Sequence, residues 1–184
     1  MAYSANKSLT NSMNYKEALQ HITTFIFDVD GVLTDGSVIL DPSGEMVRTM
    51  NTKDGFALQH AVKKGYNVCI ITGGNSVMVK QRLKYLGIKD VFLSAHEKLT
   101  IFNDYLKENN INANQVLYMG DDLPDYPCIQ AAAVGACPND SAVEIREISD
   151  YISHVKGGKG CVRDVIEQTL RLHGKWFDKD SFIW

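Results

Sequence analysis

Phe25-Ile26-Phe27-Asp28-Val29-Asp30-Gly31-Val32-Leu33-Thr34 is the stretch around which the rest of the sequence is read. Residues 23–29 are rich in β-branched and aromatic types, which predicts a strand buried on both faces. Asp28 and Asp30 stand at its carboxyl end, where open parallel α/β sheets bind their ligands. Alternation along a strand puts both side chains on one face, about 7 Å apart along the chain. Gly31 lets the chain turn sharply where a β-carbon would clash. Two carboxylates this close repel each other unless a cation or a proton lies between them. A divalent metal with oxygen ligands meets that need. An Asp after a strand also serves as a helix cap or turn former, so the pair takes its meaning from the rest of the chain.

Outward from this stretch, residues 37–40 and 45–50 flank Asp41-Pro42-Ser43-Gly44, which predicts a β-hairpin over 37–50. It lies between the first strand and the first helix, where many α/β enzymes carry a lid, and it is too short for a cap domain. A lone hairpin is marginal in water, so it must pack on another subunit or on its own domain. A helix opens at Asp54-Gly55 and ends at Gly65. Residues 67–71 read as a second buried strand, ending in Thr72-Gly73-Gly74-Asn75 before a helix from Ser76. A hydroxyl and free N–H groups at a helix N-terminus suit an anion, although Thr and Gly are also common at helix starts. A third strand at 90–93 is followed by Lys98, which reads either as a site cation or as a solvated surface lysine. A fourth strand, 115–120, runs into Asp121-Asp122-Leu123-Pro124-Asp125, three acids in five residues. That makes a poor surface loop and a good metal rim.

Strands and helices alternate, so the predicted fold class is α/β. The architecture is a three-layer, Rossmann-like sandwich with a mostly parallel sheet and a β-hairpin insertion in place of a cap. In such a sheet the ends of the four strands line one edge, and Asp28, Asp30, Thr72, Lys98, Asp121 and Asp125 converge. A hard cation such as Mg²⁺ takes oxygen ligands and commonly keeps a substrate phosphate as well. Thr72 and Lys98 are phosphate-seeking groups, one by hydrogen bond and one by charge. Asp28 can attack phosphorus, Asp30 can protonate the leaving alcohol and then activate water, and Lys98 can hold the transferring charge.

The 184-residue length suggests one domain at 21–175, between a polar N-terminal tail at 1–20 and an aromatic C-terminal tail at 176–184. A formal net charge of -3 gives no basic surplus for nucleic acid. No apolar run is long enough to span a membrane, and the first residues lack the apolar core of a secretory signal. Cys69, Cys128, Cys137 and Cys161 are scattered, so they read as reduced thiols in a cytoplasmic protein.

Four motifs in this order resemble the haloacid dehalogenase superfamily of phosphatases: residues 28–34, Thr72 after an apolar strand, Lys98, and Gly120-Asp121-Asp122 with Asp125. The resemblance implies that Asp28 is the nucleophile and Asp30 the acid/base. It implies Mg²⁺ held by the Asp28 side chain, the Asp30 backbone carbonyl and Asp121, with Asp122 or Asp125 binding it directly or standing just behind. Residues 27–36, Lys53-Asp54-Gly55, Ile71-Thr72-Gly73 and residues 157–163 narrow the likeness to the capless sugar-acid phosphatases. Within these it is nearest to the 3-deoxy-D-manno-octulosonate 8-phosphate phosphatases, from Ile22 onward. That resemblance implies a phosphorylated sugar acid as substrate, contacts to it from Thr34, Gly73, Lys53 and Arg163, and a homotetramer built through the hairpins. Arg163 also reads as one half of a helix-surface salt bridge.

One position departs from the pattern. The family usually carries Arg or Lys after Ile-Thr-Gly, where this chain has Gly74. Nonulosonate 9-phosphates and a broader set of sugar phosphates therefore stand beside the eight-carbon acid. A non-catalytic assembly protein would have no need to keep Asp28, Asp30, Lys98 and Asp121 together. A response-regulator-like phosphoacceptor would place its acidic pair early and one lone Asp mid-chain, which is not the order here.

Overall fold

The apolar runs become the centre of a parallel sheet in the computed structural model, which describes residues 14–42 and 44–183. In chain order the strands are β1 (Thr24–Phe27), β2 (Ile39–Leu40), β3 (Met46–Val47), β4 (Asn67–Ile71), β5 (Asp90–Phe92), β6 (Val116–Met119), β7 (Val134–Cys137) and β8 (Tyr151–Ile152). The helices are α1 (Tyr15–Ala18), α2 (Thr52–Lys63), α3 (Val77–Tyr85), α4 (Lys98–Glu108), α5 (Tyr126–Ala131), α6 (Val143–Ile148) and α7 (Cys161–Leu172). Six strands pair in the order β5-β4-β1-β6-β7-β8, every pair parallel. Phe27 lies in register with Ile70 of β4 and Met119 of β6, so these three strands end together and release Asp28, Thr72 and Asp121 at one edge. Connections from β1 and β6 leave to opposite sides, which opens the ligand crevice of a doubly wound sheet at this point.

Period-two alternation divides the strand side chains between two layers. Phe25, Phe27, Val68, Ile70, Leu117 and Met119 face the layer of α1, α2, α3 and α7. Ile26, Cys69, Ile71, Val116 and Tyr118 face α4, α5 and α6. Both faces are covered, which is why these strands read as unbroken apolar runs. Helix α7 buries Val162, Val165, Ile166 and Leu170 against α2, where Ala57, Leu58 and Ala61 are fully buried. The α/β sandwich expected from the sequence is therefore the fold.

The ends differ from the expected tails. Residues 1–13 and Trp184 lie outside the described residues, but the domain takes up the chain well before residue 21. Asn14 caps α1, Ala18, Leu19 and Ile22 are buried in the core, and the Tyr15 ring stacks on Tyr151 at 4.5 Å. Tyr15, Ala18, Leu19 and Ile22 form an i, i+3, i+4, i+7 seam that the intervening polar residues disguise. At the other end Trp176 is buried edge-on against Phe56 and His60, and Lys64 joins Asp178 and Asp180. This tail docks on its own domain. The hairpin is reduced to two residues per strand, with Ser43 of its turn outside the described residues.

A second loop braces the first strand end. Gly158 N–H donates to the Val32 carbonyl at 2.9 Å, and a Cβ on Gly157 would lie 1.9 Å from the Gly31 carbonyl oxygen. Asp54, at the start of α2, accepts from Arg163 N–H at 2.6 Å and so caps α7. The glycine loop thus holds the turn that carries Asp30, and Asp54 holds the helix that follows that loop. Gly157→Ala is expected to destabilise the protein by about 1–3 kcal/mol, because the added methyl forces two backbones apart. Urea unfolding measures this, and an unchanged midpoint would show that the two loops do not pack.

Candidate active site

Asp28 continues β1, its N–H donating to the Met119 carbonyl at 3.1 Å, so its carboxyl is set by the sheet itself. The side chain is buried. Oδ2 meets the Lys98 ammonium at 3.0 Å, and Oδ1 has no hydrogen-bond partner among the described residues. Lys98, the first residue of α4, is only 5% exposed and also donates to Asp125 Oδ1 at 2.7 Å. Asp125 is fully engaged. Its Oδ1 also accepts from the Tyr118 hydroxyl at 2.6 Å, and its Oδ2 accepts from the N–H groups of Asp121 and Asp122 at 3.2 and 3.4 Å. Asp121 lies over the turn after β1. A Cβ at Gly31 would fall 1.9 Å from its Oδ2, and Gly31 has φ +82°, so both space and backbone require glycine there.

One carboxylate oxygen each from Asp28, Asp121 and Asp125 lies within 4.8 Å of the others. An unpartnered buried carboxylate oxygen among acids fits a hard divalent cation with oxygen ligands. Asp28 and Asp121 are the side chains with oxygens to give, since Asp125 is spent on Lys98, Tyr118 and two backbone N–H groups.

The charges answer to this crowding. Burial, then the Asp125 charge, pushes the Asp28 carboxyl above its ordinary range, against the pull of Lys98. Burial first, and Asp28 and Asp125 after it, push Asp121 up to about 8. Burial alone would lower Lys98, and the flanking Asp28 and Asp125 outweigh it and raise it.

Asp28, Asp30, Thr72, Gly73, Lys98, Asp121, Asp122 and Asp125 line one cleft of about 470 Å³. Thr72 follows β4 with its Oγ1 accepting from Gly74 N–H at 3.2 Å, which leaves the hydroxyl hydrogen for a ligand. Asp30 faces a guanidinium: Arg48 Nε donates to Oδ1 at 2.6 Å and Nη2 to Oδ2 at 2.9 Å. No cation stands at position 74, but a Cβ there would lie 3.5 Å from that Nη2.

Three residues expected at the substrate, Thr34, Lys53 and Arg163, do not line this cleft. Thr34 is fully buried, and its hydroxyl ties the turn together, donating to the Val29 carbonyl and accepting from Gly36 N–H. Lys53 is exposed in the first turn of α2. Arg163 is the salt-bridge reading made real, paired with Glu167 at 3.0 Å and lying over the Trp176 ring. Conversely, Tyr118 behind Asp125, Arg48 on Asp30 and His96 on the cleft wall are not among the residues the sequence singles out. A tyrosine inside a doubly buried strand needs a polar partner, and that was the one available signal for Tyr118. Nothing local marks Arg48 or His96.

A haloacid dehalogenase-like hydrolase family model matches residues 45–133. The 3-deoxy-D-manno-octulosonate 8-phosphate phosphatase of Salmonella typhi is 34% identical over 156 residues, 85% of this chain and 83% of that protein. Its Haemophilus influenzae counterpart is 32% identical over 160 residues, 87% of this chain and 89% of that one. Among solved structures, the Moraxella catarrhalis enzyme, in complex with magnesium, phosphate and KDO, superposes with TM-score 0.86 at 35% identity, covering 92% of this chain and 95% of its own. The cobalt-bound Haemophilus influenzae enzyme gives 0.84 at 32% identity, covering 89% and 97%.

The raised carboxyls set a pH dependence. Folded Asp28 and Asp121 hold protons at higher pH than the unfolded chain does, so they favour the metal-free fold at low pH and oppose it as pH rises toward about 8. A cation must displace those protons. The gain in Tm on adding Mg²⁺ is therefore expected to grow from about pH 6 to about pH 9. Melting curves in Mg²⁺ and in chelator test this, and a gain that shrank with pH would contradict the ligand set.

Proposed function

The chain belongs to the 3-deoxy-D-manno-octulosonate 8-phosphate phosphatases of the haloacid dehalogenase-like hydrolases, and we propose that it hydrolyses that sugar-acid phosphate to the free acid and inorganic phosphate with Mg²⁺ as cofactor. The observation that carries the mechanism is the Asp28 carboxylate, one oxygen pinned by Lys98 and the other unpartnered in the cleft. The Asp28 and Asp121 side chains with the Asp30 backbone carbonyl would hold the cation. Bound there, Mg²⁺ supplies charge neutralisation between carboxylate and phosphate.

Asp28 attacks phosphorus, giving an aspartyl-phosphate as the phosphorus–oxygen bond to the sugar breaks. Asp30 gives its proton to the leaving sugar oxygen. It then takes one from the water that attacks the aspartyl-phosphate, which returns Asp28 and frees phosphate. Lys98 faces the charge on the transferring group, and its bond to Asp125 keeps it from drifting. The Thr72 hydroxyl and the Gly73 backbone offer the phosphate hydrogen bonds at the end of β4. Tyr118 and the Asp121–Asp122 backbone fix Asp125, and through it Lys98.

The assembly belongs to the same reading. Ile39, Leu40 and Met46 are exposed, at 63%, 76% and 41%, on strands too short to stand alone. Hairpins packed against one another in a homotetramer would cover them. No helix among the described residues is long and apolar enough to cross a membrane, and the four cysteines are free and buried, which supports a cytoplasmic enzyme.

Asp28→Asn is expected to lose several orders of magnitude in kcat while still folding and melting cooperatively, since the change is isosteric and replaces the carboxylate nucleophile by an amide. Phosphate release should favour octulosonate 8-phosphate over nonulosonate 9-phosphates and hexose phosphates, and should stop in chelator. Retained turnover in Asp28→Asn would rule out its role as nucleophile, and a nine-carbon preference would reassign the sugar. Light scattering is expected to give four times the 20.5 kDa chain mass, and Leu40→Glu to lower it. A monomeric parent protein would sink the tetramer.

A further inference from the structure

The hairpin takes no part in the steps above, yet one of its side chains reaches the site. Arg48 follows β3, and 5% of its side chain is exposed. The guanidinium lies in a narrow crevice with Val29, Thr72, Gly74 and Val79. All three of its nitrogens are committed. Nε and Nη2 fork onto the two oxygens of Asp30 at 2.6 and 2.9 Å, and Nη1 donates to the Met46 carbonyl at 2.7 Å. Gly74 forms the opposite wall at contact distance: a Cβ there would be 3.4 Å from Asp30 Oδ2 and 3.5 Å from both Arg48 Nη2 and Thr72 Oγ1.

Asp30 needs such a hold. Its side chain is 36% exposed, and its other contact, Thr34 Oγ1 at 3.4 Å, shares its one hydroxyl hydrogen with the Val29 carbonyl. A single hydrogen bond leaves a carboxylate free to turn, whereas two parallel bonds from a planar guanidinium fix its plane and its position together. A carboxylate presents about four lone-pair directions, so the fork uses half and leaves the rest for proton exchange. We propose that Arg48 is the positioning residue for Asp30, tying the carboxylate that serves the leaving group to the backbone of the hairpin. This rests on the acid/base reading of Asp30. The pair is more than a surface contact, since the arginine side chain is almost fully covered and each of its three nitrogens is hydrogen-bonded.

The test compares leaving groups. The value of kcat/KM ends at phosphoryl transfer, so it reads the proton given to the leaving oxygen. An alkyl phosphate such as octulosonate 8-phosphate needs that proton, and p-nitrophenyl phosphate, which leaves as a stable phenolate, scarcely does. Arg48→Met is expected to lower kcat/KM about tenfold or more on the alkyl phosphate and less than about threefold on the aryl one, with Mg²⁺ affinity by calorimetry unchanged. Asp30→Asn should show the same selectivity more strongly. Arg48→Lys, which keeps the charge but not the fork, should fall between Arg48→Met and the parent. Equal losses on both substrates, or none, in Arg48→Met while Asp30→Asn discriminates would overturn the proposal and leave the acid/base reading standing. No discrimination in Asp30→Asn would remove that reading and this proposal with it. Should Arg48→Met fail to fold, Arg48→Lys decides: a selective loss on the alkyl phosphate supports the fork, and parental values on both substrates refute it.

Discussion

A buried ammonium flanked by two carboxylates holds this site in place. Lys98 is the first residue of α4, where a positive charge opposes the helix dipole, and Glu97 before it makes no side-chain cap. Burial adds a desolvation cost to that. Only Asp28 and Asp125, at 3.0 and 2.7 Å, make the position tenable. The dependence runs both ways. Without Lys98, Asp28 and Asp125 would face each other as uncompensated buried charges, a loss of about 3–5 kcal/mol for a broken buried pair. One contact set therefore fixes the start of α4, the end of β1 and the loop after β6 against each other.

The balance is deliberately incomplete. Asp28, Asp121 and Asp125 bring three acids to one Lys98, and Asp121 is left with a carboxyl pushed up to about 8. Such surplus charge is a cost to the fold and an asset to a site that takes up a cation and then a phosphate. The surrounding backbone is arranged so that this strain does not spread. Gly31 lets Asp121 lie flat on the turn, and the glycine loop at 157–160 presses that turn from the other side. Stability spent at the sheet edge is recovered in the core, where Phe25, Phe27, Ile70 and Ile166 are fully buried.

The sequence revealed the parts of this design that are local. Three doubly buried strands, β1, β4 and β6, announce themselves as apolar runs, and acids or a Thr at their ends mark the edge where ligands bind. Asp28, Asp30, Thr72, Lys98, Asp121 and Asp125 could be brought together on that basis alone. What stayed hidden is settled by contacts between residues far apart in the chain. Arg48 meets Asp30 across 18 residues, and Asp54 caps α7 from 109 residues away. Thr34 and Arg163 have the chemistry of ligand-binding groups, but nearby backbone and Glu167 consume it. The short helix before β1 escaped because its seam of Tyr15, Ala18, Leu19 and Ile22 is a single stripe among polar residues.

The hairpin joins these two levels. One end of it exposes Ile39 and Leu40, and beyond β3 the chain sends a buried cation into the cleft wall. Two-residue strands have too few hydrogen bonds to hold a fixed shape on their own, so the placement of the hairpin depends on what covers its apolar side chains. Arg48 passes that placement on, because its Nη1 is bonded to the Met46 carbonyl while its Nε and Nη2 hold Asp30. A tetramer that buried those apolar faces against one another would hold the Met46 carbonyl as well. Hairpin and cleft are thus joined through three residues, Met46, Arg48 and Asp30, by bonds that leave the sheet untouched.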